Sequence, residues 1–294
     1  MIYELSHVTR YDYDAPVTAS YAKIHQLPGD LDGQVCLRRC LTTEPAPEHH
    51  RELTDHFGNR AAVVAIREPH QQLVVTSTAV VDTTARPVTF GPEGRDRWEE
   101  HLATRRPDGD LTAIDLSIDS PLVARSEGLA HFARPSFRPG RPLADAVGEL
   151  SDRINAEFTF DPEATDVDTP LDEVLTARRG VCQDLAHVLI GCLRSLGLAA
   201  AYVSGYLETE PPPGSARLTG ADRTHAWVGL HLGGDRFIGV DPTNAQLAGP
   251  RYITTARGRD YGDVPPLKGV IYTDAEESEL TVAVDVVRAD TAGP

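Results

Sequence analysis

Three residues, Cys182, His225 and Asp241, have the types and the chain order that thiol-based acyl chemistry needs. Cys182 comes just after Gly180 and opens a pattern in which Leu185, Leu189, Cys192 and Leu196 share one helical face, ending at Gly197. It therefore falls on the first turn of a helix. Unpaired N–H groups and the positive end of the helix dipole are concentrated there, and both favour thiolate over thiol. A cysteine with the ordinary pKa of about 8.5 is only a few per cent ionised at neutral pH. Full ionisation would gain roughly thirtyfold, about 2 kcal/mol, far less than an enzymatic acceleration. Such a nucleophile needs a base and an oxyanion site beside it.

The base is suggested by strand periodicity. Between Thr224 and Leu232, the residues Ala226, Val228, Leu230 and Leu232 form one apolar face, and His225, Trp227 and His231 occupy the other. A lone strand histidine is more often structural than catalytic, and Asp241-Pro242 alone is an ordinary turn-forming pair. The glycines Gly233-Gly234 join the two observations by predicting a hairpin. A three-residue loop centred on Gly233 sets Asp241 opposite His225. One centred on Gly234 sets it opposite Trp227, diagonal to His225 on the same face. Either register brings the Cβ atoms to about 4.5–8 Å, within hydrogen-bonding reach of the two side chains. A two-residue loop would turn Asp241 to the wrong face. The ordered set matches a nucleophile, a base and an orienting carboxylate.

Other candidates have simpler readings. His187 lies five positions from Cys182, about 140° around the helix, so it is a poor base. Cys36 and Cys40, four apart in a strand pattern, are expected to share a face as two small buried hydrophobes, with no metal-binding partner at the usual spacing. Cys192 is a buried helix-face cysteine. His49, His50 and His56 are expected in solvated loops. Trp227 is either a shield for the site or packing.

The elements that must position the chemistry are legible in outline. Short alternating segments from Tyr3 to Asp82 predict a small antiparallel β-domain over residues 1–85. Residues 86–119, charged and rich in Gly and Pro, read as a linker with one short helix around Trp98. Residues 120–294 hold a helical segment and the catalytic segment. Ser120 to Phe137 is compatible with helix, and a clearer one follows Pro142. Thr169-Pro170-Leu171-Asp172-Glu173 starts another, with a hydroxyl cap and proline at the first position. Strands follow at Ala201–Tyr206, Thr224–Leu232 and Arg236–Val240, and a last pair, Gly269–Thr273 and Leu280–Val287, closes the chain. Pro211 to Pro213, with Gly214, mark an exposed loop.

The chain has 294 residues, with 28 basic and 44 acidic side chains and a formal net charge of −16, a surface that repels phosphate backbones and anionic lipid. Neither nucleic acid nor a membrane is an expected partner. The N-terminus has no basic and apolar leader pattern, and no apolar run is long enough for a bilayer, so a cytoplasmic location with reduced cysteines is expected.

Arg179-Gly180-Val181-Cys182-Gln183-Asp184, Thr224-His225-Ala226-Trp227-Val228 and Val240-Asp241-Pro242-Thr243-Asn244 resemble the three catalytic segments of transglutaminase-like proteins. The resemblance is closest to the bacterial branch with an N-terminal β-domain. Asp55-His56-Phe57-Gly58-Asn59, Pro69-His70, Tyr202-Val203-Ser204-Gly205-Tyr206 and Gly258-Arg259-Asp260-Tyr261 also fit it. It implies an α+β fold, a papain-like core with the nucleophile helix packed on an antiparallel sheet. In it Cys182 is the nucleophile, His225 general base and then acid, and Asp241 the orienter. Backbone N–H groups at Cys182, with Gln183 nearby, would form the oxyanion site. No cofactor, metal site or calcium requirement is expected. The leading function is hydrolysis of an amide or peptide bond through an acyl-enzyme. An acyltransferase with an amine acceptor shares every step up to that intermediate. An inert binding module on the same fold has no physical reason to keep all three residues.

Overall fold

Period-two alternation dominates the N-terminal residues, and there the chain forms β1 (Ile2–Ile24), β2 (Val35–Glu44), β3 (His49–Thr54), β4 (Arg60–Ile66) and β5 (His70–Asp82). A helical stretch follows, with α1 (Trp98–Thr104), α2 (Leu111–Asp115), α3 (Glu127–Ala133) and α4 (Leu143–Glu157). Two-residue strands β6 (Thr159–Phe160) and β7 (Arg179–Gly180) flank α5 (Leu171–Ala177), and α6 (Cys182–Ser195) comes next. The remaining elements are β8 (Ala200–Leu207), β9 (Thr224–Gly233), β10 (Arg236–Asp241), β11 (Gln246–Leu247), β12 (Tyr252–Gly258), β13 (Leu267–Thr273) and β14 (Ser278–Arg288). These come from a computed structural model describing residues 1–87, 89–104, 110–209 and 222–289. The proline run at Pro211 to Pro213 and Gly214 lie outside the described residues.

The fold is α+β, with an antiparallel N-terminal sheet and a helix-covered antiparallel core sheet. The core sheet has the order β11-β10-β9-β8-β12. Its strands β8 and β9 pack against α6, which also touches α3, α4 and α5. The single apolar face expected of α6 is too narrow a description. Every residue from Asp184 to Arg194 is buried, as befits a helix enclosed on all sides. Each buried leucine there contributes about 1.5–3 kcal/mol relative to exposure. Residues expected as a linker hold α1, α2 and a 3-10 turn at Pro92–Arg95, and Trp98 Nε1 donates to the Arg138 carbonyl at 3.1 Å. Between Ser120 and Phe137 only the α3 residues are helical. The Thr169 hydroxyl accepts from the Asp166 amide at 2.9 Å instead of capping α5.

The long strand β1 organises the other sheet. Its first half pairs with β5 on one side and β14 on the other, its second half with β4 and β13. The two closing strands, grouped in the sequence reading with the catalytic segment, thus belong to the N-terminal sheet. Alternation identifies a strand but carries no information on its partner. Cys36 and Cys40 also depart from expectation. A bulge between Cys36 and Arg38 shifts the register, so Cys36 pairs with buried Val81 and Cys40 with exposed Thr78. Cys40 is exposed and Cys36 half-buried. His49 and His50 are exposed but lie in β3, paired with β4, and His56 bonds Asp115 at 2.8 Å.

Two side-chain amides join the sheets. Gln34 donates Nε2–H to the Thr254 carbonyl at 2.9 Å and accepts the Thr254 N–H at 2.8 Å. Asn59 donates Nδ2–H to the Arg257 carbonyl at 2.6 Å and accepts its N–H at 2.7 Å. Each amide imitates a strand residue on the outer edge of β12, satisfying backbone groups that would otherwise be an open template.

Candidate active site

The site is built from the start of α6, the start of β9 and the turn after β10. The α6 N-terminus is fixed by Asp184, whose Oδ2 accepts the Val181 N–H at 2.8 Å and the Thr165 hydroxyl at 2.7 Å. Gly180 is required by this arrangement, since a Cβ there would lie 2.5 Å from Asp184 Oδ2. Gln183 donates its side-chain amide to the Val167 carbonyl at 3.2 Å, fastening the 161–170 loop beside half-buried Cys182.

The hairpin between β9 and β10 reaches the second of the two expected registers by an unexpected route. Phe237 pairs with His231, Ile238 with Leu230, Gly239 with Gly229 and Val240 with Val228, which directs Asp241 toward the Trp227 position. The turn itself is tight, with Arg236 paired to Gly233, and a bulge at Leu232 restores the register a two-residue loop would have lost. His225 Nε2 lies 2.7 Å from Asp241 Oδ2. The Cys182 thiol also interacts with the imidazole. Burial alone would lower the imidazole pKa, but the hydrogen bonds to Asp241 and Cys182 and their charges raise it from 6.5 to about 10. The sign follows directly. The stabilisation is complete below about pH 6.5 and is lost as pH rises through about 10.

Asp241 is fully buried. Its Oδ2 also accepts from Asn244 Nδ2 at 2.7 Å and the Tyr252 hydroxyl at 2.6 Å, and its Oδ1 accepts the Thr243 N–H at 2.9 Å. Burial pushes its carboxyl pKa up, yet the His225 bond and charge, then Asn244 and Tyr252, leave it below the ordinary value. The turn is held from outside by Asn155, which donates to the Thr243 carbonyl at 2.7 Å.

Trp227 sits beside the site without lining it. At 1% exposure it packs among Val203, Ala248 and Tyr252, with its rings 6.1 Å from the His225 ring at 30°. Of the two roles left open for it, shield or packing, its burial matches packing, which fixes the imidazole plane. Gly205, paired with His225, makes room for it. A Cβ there would stand 2.6 Å from the indole and 2.0 Å from the Ile253 carbonyl oxygen. His187 is buried and accepts the Tyr261 N–H at 3.2 Å, away from this role, and burial lowers its pKa to about 4. Tyr252, Asn155 and Thr165 were not legible as site residues. Asn155 lies 88 residues from the residue it holds, Thr165 is in a loop with no periodic pattern, and nothing local separates Tyr252 from a packing tyrosine.

With this geometry in hand, similarity to known proteins can be weighed. Residues 3–82 match the bacterial transglutaminase-like N-terminal region and residues 130–242 the transglutaminase-like superfamily. An uncharacterized protein of Mycobacterium tuberculosis is 42% identical over 292 residues, covering 97% of this chain and 92% of its own. The chain belongs to the bacterial transglutaminase-like family. Another uncharacterized family member, from Mycobacterium leprae, is 30% identical over 282 residues, covering 96% of this chain and 97% of its own. A solved structure from Cytophaga hutchinsonii, provisionally assigned as a cysteine protease, superposes with a TM-score of 0.71 at 20% identity. It covers 99% of this chain and 92% of its own, and shares the fold of this transglutaminase-like protein.

One expectation concerns the four thiols. Iodoacetamide at pH 6 to 7 should alkylate Cys182 fastest, because it alone adjoins an imidazolium. Burial pushes the Cys192 and Cys36 thiols up. Exposed Cys40 is the informative competitor. Peptide mapping that finds Cys40 labelled before Cys182 would remove the thiolate assignment.

Proposed function

We propose that this protein is a thiol hydrolase of amide or peptide bonds that works through an acyl-enzyme. The observation that carries the reading is the His225–Asp241 pair, Nε2 to Oδ2 at 2.7 Å, with the Cys182 thiol at the start of α6 interacting with the same imidazole. The thiolate attacks the acyl carbon. N–H groups of Cys182 and Gln183, which open α6 and have no partner within it, supply the oxyanion donors. The Gln183 side chain, occupied by Val167, contributes through its backbone. The His225 imidazolium protonates the leaving nitrogen, then accepts a proton from the water that cleaves the thioester. The substrate is a peptide or another amide, and the charge of −16 makes nucleic acid and anionic membrane poor partners. A cytoplasmic location is part of the same proposal, supported by four unpaired cysteines. Among the described residues no helix is long and apolar enough to cross a membrane.

One observation favours transfer to an amine as a second reading. The loop fastened beside Cys182 carries Asp161, Glu163, Asp166 and Asp168, charges suited to an ammonium. Amine transfer nevertheless requires the acceptor to be held near the thioester against bulk water. Incubating the protein with a peptide library should give an adduct on Cys182, identified by mass spectrometry and missing from Cys182→Ala. No adduct at all would sink the enzyme reading. With a substrate known, small primary amines at millimolar concentration should leave the hydrolysis product dominant. Saturable conversion of most turnover to amide exchange would replace the hydrolase by the acyltransferase.

A further inference from the structure

Asp241 accepts more hydrogen bonds than the orientation of one imidazole requires. Of the three side-chain donors on Oδ2, His225 belongs to the proposed acyl transfer, and Asn244 is an exposed member of the same turn. Tyr252 is different. It is buried, opens another strand, β12, and reaches Oδ2 at 2.6 Å. Its oxygen accepts the side-chain N–H of Gln246 at 2.6 Å, so the phenolic proton is directed to Asp241. The ring is held in place from outside the core sheet as well. Thr83 donates to the Pro250 carbonyl at 2.5 Å, and the amides of Gln34 and Asn59 grip β12 at Thr254 and Arg257.

We infer that Tyr252 is a positioning residue for the acyl transfer proposed above: its bond to Oδ2 adds a buried donor that competes with His225 for the carboxylate, so that His225 is oriented without its proton being held too tightly. The inference rests on that functional reading. In the step concerned, the Cys182 sulfur bonds to the acyl carbon, the C–N bond breaks, and the Nδ1 proton of His225 passes to the leaving nitrogen. A carboxylate relieved of the Tyr252 donor, with only the exposed Asn244 amide left beside His225 on Oδ2, would bind the Nε2 proton more strongly and make the imidazolium a poorer acid at Nδ1. The N-terminal sheet, by fixing β12, then contributes to the chemistry without touching the substrate.

The sign of the effect separates this role from packing. The titratable groups facing His225 are Cys182 from α6, Asp241 from β10 and Tyr252 from β12, while Tyr202 from β8 and Asp184 from α6 adjoin Cys182. Tyr252→Phe keeps the ring and leaves exposed Gln246 free to bond water. Iodoacetate, an anion, reacts with Cys182 more slowly once the imidazolium loses its charge, and this profile needs no substrate. In Tyr252→Phe that fall should move to higher pH by about half a unit or more. Turnover of an amide should drop about tenfold, while a nitrophenyl ester of the same acyl group, whose leaving group needs no proton, changes less than about threefold. If the fall stays put or moves to lower pH, as loosened packing would produce, Tyr252 has no such role. Equal losses on amide and ester would overturn the inference too. A wild-type protein that forms no acyl-enzyme removes the functional reading itself, an outcome distinct from an unmoved profile in an enzyme that does.

Discussion

Replacing Asp241 by asparagine should lower turnover by about three to four orders of magnitude. The amide oxygen can still accept the backbone N–H groups of Thr243 and Asn244, as Oδ1 does now. Its NH2 then faces the Tyr252 hydroxyl, the Asn244 amide and His225 Nε2, three groups that currently donate to Oδ2. Nε2 must become an acceptor, which moves the proton of the neutral ring to Nδ1, the nitrogen that has to take the proton of Cys182. The imidazolium also loses the partner that raised its pKa to about 10, while the burial that lowers it remains. The alkaline limb of kcat/KM, expected near pH 10 for the native protein, should therefore move to lower pH. The mismatched donors cost roughly 1–3 kcal/mol of stability, so rates must be compared well below both melting transitions. Turnover within about tenfold of native, or an unmoved alkaline limb, would exclude Asp241 from the mechanism.

Arg194→Met should cause the larger loss of stability. Arg194 is 1% exposed at the end of α6, and its guanidinium donates to the carbonyls of Leu116 at 2.9 Å, Ala200 at 2.8 Å and Arg259 at 2.6 Å, and to the Ser120 hydroxyl at 3.1 Å. Burial lowers its pKa to about 10, which leaves it cationic at neutral pH. Methionine fills similar space but takes a donor from the Ala200 and Arg259 carbonyls and the Ser120 hydroxyl, while the Leu116 carbonyl keeps the Ala200 N–H, at about 1–3 kcal/mol for each acceptor left unpaired where water cannot enter. A total of about 3 kcal/mol or more corresponds to a fall of roughly 6–12 °C in Tm for a chain of this size. Thermal unfolding followed by circular dichroism would decide it. A fall of only one or two degrees would mean that the four segments are held together by packing alone.

The contrast between these residues explains what sequence could and could not reveal. His225 and Asp241 are separated by one hairpin, so strand periodicity and a glycine turn were enough to bring them together, even though the bulge at Leu232 was not foreseen. Cys182 was legible because an apolar helical pattern begins beside it. A bulge defeated the same arithmetic for Cys36 and Cys40, because one extra residue reverses every later side chain. Tyr252 reaches Asp241 from another strand with no hairpin periodicity between them to set a register, and Arg194 acts through carbonyls of segments far away in the chain, so a local pattern holds no record of either. The partners of β13 and β14 were hidden for the same reason, and so was the clamping of β12 by Gln34 and Asn59.

The ladder on β1 has a consequence for how the chain is made. β1 is synthesised before the partners that complete it, since Tyr3 through Tyr13 pair with Arg288 back to Ser278, and the Ala289 N–H closes on the Ile2 carbonyl at 2.9 Å. During translation one side of this strand can zip to β5 early, while the other waits until β14 has emerged. The core sheet and its helices, made between those two times, can assemble first around α6. The N-terminal sheet is then finished after the core sheet, and β1 stays a vacant seam until β14 arrives, with a chaperone or a neighbouring nascent chain as its competing occupants.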